Sequence, residues 1–201
     1  MSQLHKGIIL KMKTLFIEKE TKYTGEELAP HWIYKNFHLQ GDAVVAFVGE
    51  CEVKLTEMVD IEDVINDEPI YSKSMLSFII EHFNIGLVEG VVRQRLLICI
   101  MKEALERQFA ANNSPFTVIR SGDDLFIDNK KLSVSIATKS LTSVLIHIGL
   151  NVDPTGAPVA AIGLSRDLNI LDVKSFAEEV MLKYSEEIED INLASTKVIG
   201  R

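Results

Sequence analysis

RSGDDLFIDNKKLSVSIAT, residues Arg120–Thr138, reads as a tight β-hairpin that places an Arg, three Asp and two adjacent Lys around one turn and then repeats small hydroxyls along a strand. Asp128-Asn129 is the turn. TVIRSGDDLFI leads into it, KKLSVSIAT leaves it, and SVLIHIGLNV returns after a short loop at Ser140–Thr142. The stretch therefore predicts a three-strand antiparallel meander.

Strand side chains alternate between faces, so Lys131, Ser133, Ser135 and Ala137 share one side while Leu132, Val134 and Ile136 share the other. In the returning strand Leu145, His147, Gly149 and Asn151 alternate with Val144, Ile146, Ile148 and Leu150. Pairing Lys131 with Asn151, Ser133 with Gly149 and Ser135 with His147 puts a cation, two hydroxyls, an imidazole and an amide on one face, around a glycine that leaves space. A solvated sheet face accounts for polar residues equally well. Ser, Gly, Ala and Asn are nevertheless poor strand formers, and their use here suggests close approach by a ligand.

Working outward, KTLFIEKE (Lys13–Glu20), GDAVVAFVGECEV (Gly41–Val53) and SKSMLSFIIEHF (Ser72–Phe83) read as strands. Thr24 followed by Glu27 is a capping-box signature for a helix through TGEELAPHWIYKNF, limited or kinked by Pro30. MVDIEDVI has short-helix character, and NDEP is a turn. Leu87 to Phe109 is a long helical pattern, apolar on every side at LLICIM and therefore central, with Glu89/Arg93 and Glu103/Arg107 at ion-pair spacing. ANNSP ends it. A last helix carries Val173, Phe176, Val180, Tyr184, Ile188 and Ile191 on one stripe. The regular pattern begins at KTLFIEKE, so residues 1–11 are read as an N-terminal extension and 12–201 as a single α+β domain with a central, largely antiparallel sheet flanked by helices.

A chain of 201 residues with 47% hydrophobic and 25% charged side chains can bury a sizeable core. Its net charge of −8, with no dense Lys/Arg run, argues against a nonspecific nucleic-acid or anionic-membrane surface. GIIL, between Lys6 and Lys11, is too short for a signal-peptide core, and no apolar run approaches the ~18 residues of a membrane span. Cys51 and Cys99 do not form a disulfide framework, which points to the reducing cytoplasm. A small-molecule ligand is the expected partner, with homo-oligomerisation left open.

GDAVVAFVGECEV, MVDIEDV, SFIIEHF, RQRL and KKLSVSIAT together resemble the domain-of-unknown-function family numbered 366, from about Met12 to Val198. The hairpin followed by LIHIGLNV also resembles the core of the biotin and lipoate protein ligases, whose pattern runs Asn-Asp-Leu, a turn, Lys-Ile/Val-x-Gly, then a strand ending Gly-x-Asn-Val. The resemblance implies the fold shared by those ligases and class II aminoacyl-tRNA synthetases. It also implies that Lys131 is the catalytic cation beside an activated acid's carboxyl or adenylate phosphate, that Asp124 matches the motif Asp, and that Arg120 stands where biotin ligases carry another Lys. ATP with Mg²⁺ is the cofactor that retained ligase chemistry would use. Two departures argue against biotin or lipoate themselves: Val134 replaces the motif Gly, and neither a Gly-Arg-Gly-Arg-Arg-Gly nor an Arg-Arg-x-x-Gly-Gly-Gly segment is present.

The expected site therefore contains Lys131, Arg120, Asp124, Ser133, Ser135, His147 and Asn151, and binds a carboxylate- or nucleotide-derived molecule, with acyl activation or transfer as its chemistry. Arg93 and Arg95 are further anion-binding candidates, set against pairing with Glu81 or Glu89. The rival reading is a noncatalytic binding or interaction protein on the same scaffold. His31 and His38 lie two helical turns apart, and no Cys-x-x-Cys or His-Glu-x-x-His occurs, so no dedicated metal site is expected.

Overall fold

The computed structural model describes residues 11–200, so the extension expected over residues 1–11 lies outside the described residues except for Lys11. In chain order the elements are β1 (Lys13–Ile17), α1 (Trp32–Phe37), β2 (Ala43–Val53), α2 (Ile61–Asn66), β3 (Ile70–Phe83), α3 (Leu87–Ala111), β4 (Ile119–Ser121), β5 (Asp124–Ile127), β6 (Lys130–Lys131), β7 (Ser133–Lys139), β8 (Ser143–Asp153) and α4 (Val173–Thr196). Five strands form the main sheet in the order β1-β2-β3-β8-β7, parallel only between β1 and β2; β4, β5 and β6 form a small separate sheet. The α+β architecture with a largely antiparallel sheet is thus the one the sequence predicts.

One face of the main sheet carries the larger core. Val44, Ala46, Leu76, Phe78, Ile80, Ile146 and Ile148 pack there against Leu97, Ile98, Met101 and Leu105 of α3 and Phe176, Val180 and Tyr184 of α4. Each of the Val, Leu, Ile, Phe and Met side chains among them contributes about 1.5–3 kcal/mol on leaving water. Five of the six residues on the expected α4 stripe are buried; Ile191 is exposed near the end of the helix. The opposite face carries a smaller core in which Tyr23 and Ile33 cover Val45, Phe47, Met75 and Ile79.

Three expectations are corrected. The Thr24–Glu27 box forms, since the Thr24 amide donates to Glu27 Oε2 at 2.9 Å and the Glu26 amide donates to Thr24 Oγ1 at 3.4 Å, yet no helix follows until α1, beyond Pro30. TVIRSGDDLFI is two strands, because the chain reverses at Gly122, whose φ of 62° suits a residue without a side chain, and pairs Ser121 with Asp124. The meander is therefore divided between two sheets, with β6 in the small one and β7 in the main one.

The third correction is one of register. Val134 pairs with Gly149, Ser133 with Leu150, Ser135 with Ile148 and Ile136 with His147, one residue away from the pairing expected from alternation. The phase breaks at the crossover between sheets, where Leu132 and Ser133 both turn towards the helical core. A one-residue change exchanges faces, so Val134 and Ile136, not Ser133 and Ser135, lie beside Gly149 and His147.

Close backbone approach fixes the segment over the second face. Thr21 and Tyr23 donate backbone hydrogen bonds to Val48 and Glu50 at 3.1 and 2.8 Å, and a Cβ on Gly49 would fall inside the Thr21 carbonyl. Gly49→Ala is expected to cost about 1–3 kcal/mol, the usual range for forced overpacking, read as a lower urea midpoint. An unchanged midpoint would mean that this contact carries no constraint.

Candidate functional site

A cavity of about 440 Å³ opens on the face of the sheet opposite α3 and α4. Val134 and Ile136 of β7, His147 and Asn151 of β8, Met75 of β3 and Tyr23 form much of its lining. Glu57, Asp60, Asp63, Asp67 and Glu68 line it from the segment that contains α2, and Ala157 to Val159 line it from the loop after β8. Asp123, Asp124 and Lys131 complete it from the hairpin.

Lys131 is fixed through its backbone. Its amide donates to the Ala160 carbonyl at 2.9 Å, its carbonyl accepts from the Ile162 amide at 3.1 Å, and Asn151 Nδ2 donates to that same carbonyl at 3.3 Å. Its ammonium pairs with Asp124 at 2.9 Å while a third of the side chain stays exposed. Burial pushes the Asp124 carboxyl up, opposed by Lys131 and reinforced by Asp123. The cation that the hairpin suggested is thus at the cavity, in contact with the Asp that the motif paired with it.

His147 is only 3% exposed and stacks on Tyr23, with ring centroids 3.7 Å apart. Its Nε2 lies 3.3 Å from Ser77 Oγ. Burial lowers its pKa to about 3, so the ring is neutral near pH 7, and burial pushes the Tyr23 phenol upward. The space over Gly149 is not free, because a Cβ there would overlap Met75 Sδ.

The cavity brings together Lys131, Asp124, Ser135, His147 and Asn151, and leaves out the other candidates. Ser133 is fully buried on the helix side and accepts from the Leu125 amide at 2.8 Å. Ser135 reaches the lining, where it receives Gln94 Nε2 at 2.6 Å and donates to Asp123 Oδ2 at 2.8 Å. Arg120 is exposed and donates to the Gly122 carbonyl, and Arg95 is exposed outside the lining. Arg93 is buried in a separate network, paired with Glu89, 3.8 Å from Asp42 and 3.1 Å from His82 Nδ1. Glu81 and His82 point to opposite faces: Glu81 accepts from the His31 amide and Ser143, whereas His82 lies between Asp42 and Tyr184. On α3, Arg107 pairs with Glu179 of α4 and not with Glu103.

Sequence reasoning missed Tyr23 and the acidic wall. The spacing of Asp60, Asp63 and Asp67 could have shown one charged side across a short helix, but nothing local places that side against the main sheet.

The family model DUF366, a domain of unknown function, matches residues 12–199. The chain belongs to this family. It is 39% identical over 186 residues to an uncharacterized protein of Methanocaldococcus jannaschii, covering 90% of this chain and 81% of that protein. Its structure is similar to a protein of unknown function from Pyrococcus horikoshi, with a TM-score of 0.87, 38% identity and coverage of 95% of this DUF366 chain and 100% of the other. The biotin protein ligase of Aquifex aeolicus in complex with biotin and ATP matches at a TM-score of 0.55 and 17% identity, over 88% of this chain and 70% of that one. That likeness is one of fold. Among the described residues, no helix is long and apolar enough to cross a membrane.

The lowered His147 pKa has a stability consequence. Unfolded chains take up a proton near the ordinary value of 6.5 and the folded site only near 3, so this stabilisation is complete above pH 6.5 and is lost as pH falls towards 3. The stability gap between the wild type and His147→Gln, measured by denaturant titration, is expected to narrow from about pH 7 to about pH 4. A constant gap would contradict the neutral, buried ring.

Proposed function

We propose that this DUF366 protein binds a small carboxylate-bearing molecule in the cavity, with the anion on Lys131 and the apolar body against Tyr23, Met75, Val134 and Ile136. One observation carries the reading: among the described residues Lys131 is the single Lys or Arg side chain lining the cavity, and its position is fixed by backbone bonds to residues 160 and 162. An ammonium has three donors, so the Asp124 contact leaves capacity for a ligand oxygen. The attraction is stronger beside a low-dielectric floor than in bulk water.

The ligase-like fold implies ATP with Mg²⁺, and the residues present do not fit a triphosphate. Its several negative charges would meet one ammonium, already paired, and the carboxylates of Glu57, Asp60, Asp63, Asp67 and Glu68, while Arg120 lies outside the lining. Val134, where the ligase motif has Gly, also occupies part of the cavity lining. These features support a noncatalytic binding protein on a ligase-type scaffold. Cys51 and Cys99, both free, suit a cytoplasmic setting for it.

The test is thermal denaturation with carboxylic acids of graded chain length, ATP with Mg²⁺, and nonhydrolysable acyl-adenylate mimics. Acids are expected to stabilise the wild type, by about 2.7 kcal/mol at a hundred times the Kd, and to leave Lys131→Ala unmoved. An equal response in Lys131→Ala would remove Lys131 from the site, and stabilisation by the adenylate mimics would restore acyl activation as the function. Val134→Gly is expected to extend the chain length accepted; an unchanged length preference would show that Val134 does not bound the pocket.

A further inference from the structure

We infer that Met75 determines which acids the cavity accepts: its thioether tip covers Gly149 and stops the apolar body of the ligand, so that the site takes a compact carboxylic acid. This rests on the carboxylate reading above and adds the size class of the ligand.

His147, Gly149 and Asn151 follow one another on the cavity side of β8, yet only His147 and Asn151 line the cavity. Met75 lines it in place of the glycine. A Cβ on Gly149 would stand 2.2 Å from Met75 Sδ, 3.0 Å from its Cγ and 3.2 Å from its Cε, so the whole tip of the side chain lies on the glycine. Met75 reaches it diagonally across the sheet. Gly149 pairs with Ser77 on β3, and Met75, two residues away, pairs with Asn151.

A glycine inside a strand gives up packing and marks close approach by another group. The positions on either side of Gly149 are already engaged: His147 is capped by Tyr23, with ring centroids 3.7 Å apart, and Asn151 is tied to the Lys131 carbonyl at 3.3 Å. Gly149 is thus the position in this row at which the floor can change depth. Val134, its partner on β7, bounds the trough on the other side.

The group that fills this trough differs from those that fill the other glycine gaps. Gly49 meets the Thr21 backbone, Gly163 the Val152 carbonyl, and Gly90 the β-branched Val144, all contacts that lock one element against another. Over Gly149 lies an unbranched, buried side chain with three rotatable bonds. It meets the end of an apolar ligand by contact alone, and no hydrogen bond is lost when it is shortened.

Calorimetric titration of the full chain with straight-chain carboxylates from butanoate to dodecanoate, and with the matching primary alcohols, tests the inference. For the wild type, affinity is expected to rise about fourfold per methylene until the chain reaches Met75, and then to level off or fall. Met75→Ala is expected to move that limit to acids longer by about two carbons, the room that loss of the thioether tip opens. Gly149→Ala, whose Cβ displaces the tip into the cavity, is expected to move it the other way. Met75→Val, which also removes the tip but keeps a good strand former, serves should the alanine variant fail to fold. The same limit in the wild type and in both Met75 variants would overturn Met75 as the determinant and leave Lys131 as the carboxylate anchor. Alcohols that bind as tightly as the acids, with a limit that still moves with Met75, would overturn the carboxylate and keep Met75. No saturable binding in either series would overturn both.

Discussion

Leu132 is held from three directions. Its amide donates to the Leu125 carbonyl at 2.8 Å, its carbonyl accepts from the Asn151 amide at 2.9 Å, and its side chain is sealed in the helical core. This residue is the joint between the small sheet and the main one. It leaves Lys131 at the cavity and starts β7 with Ser133 turned inward, from which strand alternation delivers Val134 and Ile136 to the opposite face. The cavity's composition thus depends on the phase set at one crossover.

The main sheet divides two kinds of work. Towards α3 and α4 it presents a continuous apolar surface, and the polar groups buried on that side satisfy one another, as His82 does with Asp42 and Tyr184 at 2.8 and 2.7 Å. Towards the cavity it presents isolated polar groups on an apolar floor, where Asp124 pairs with Lys131 while Glu57, Asp60, Asp63, Asp67 and Glu68 form no salt bridge among the described residues. Unpaired charge is tolerated there because that wall faces open space, whereas the same charge beneath α3 would carry the full cost of desolvation.

Most of the fold was legible because its signals are local. β2 and β3 are β-branched or apolar runs, α3 ends where Asn-Asn-Ser-Pro begins, and the hairpin after Ile119 carries its own turn residues. Lys131, Asp124, His147 and Asn151 were also legible, through the motif and the strand that follows it. Alternation was less informative across Leu132, because two sheets share one chain segment there and period-two reasoning assumes a single sheet. Ser133 was therefore placed on the wrong face, and Gly149 was read as open space that Met75 occupies. Arg120 carried the right chemistry, but its side chain turns back to Gly122. The α2 wall is a non-local feature, visible only once the chain has folded over the second face of the sheet.

The central claim is that Lys131 and the face carrying Val134 and His147 form one ligand site. Amide and side-chain NMR shifts during titration with hexanoate test it most directly. The account predicts that the saturating shifts cluster at Lys131, Val134, Ile136 and His147, with Arg93, Arg95 and Arg120 unmoved. Shifts that centre on those arginines, with the cavity floor silent, would contradict it.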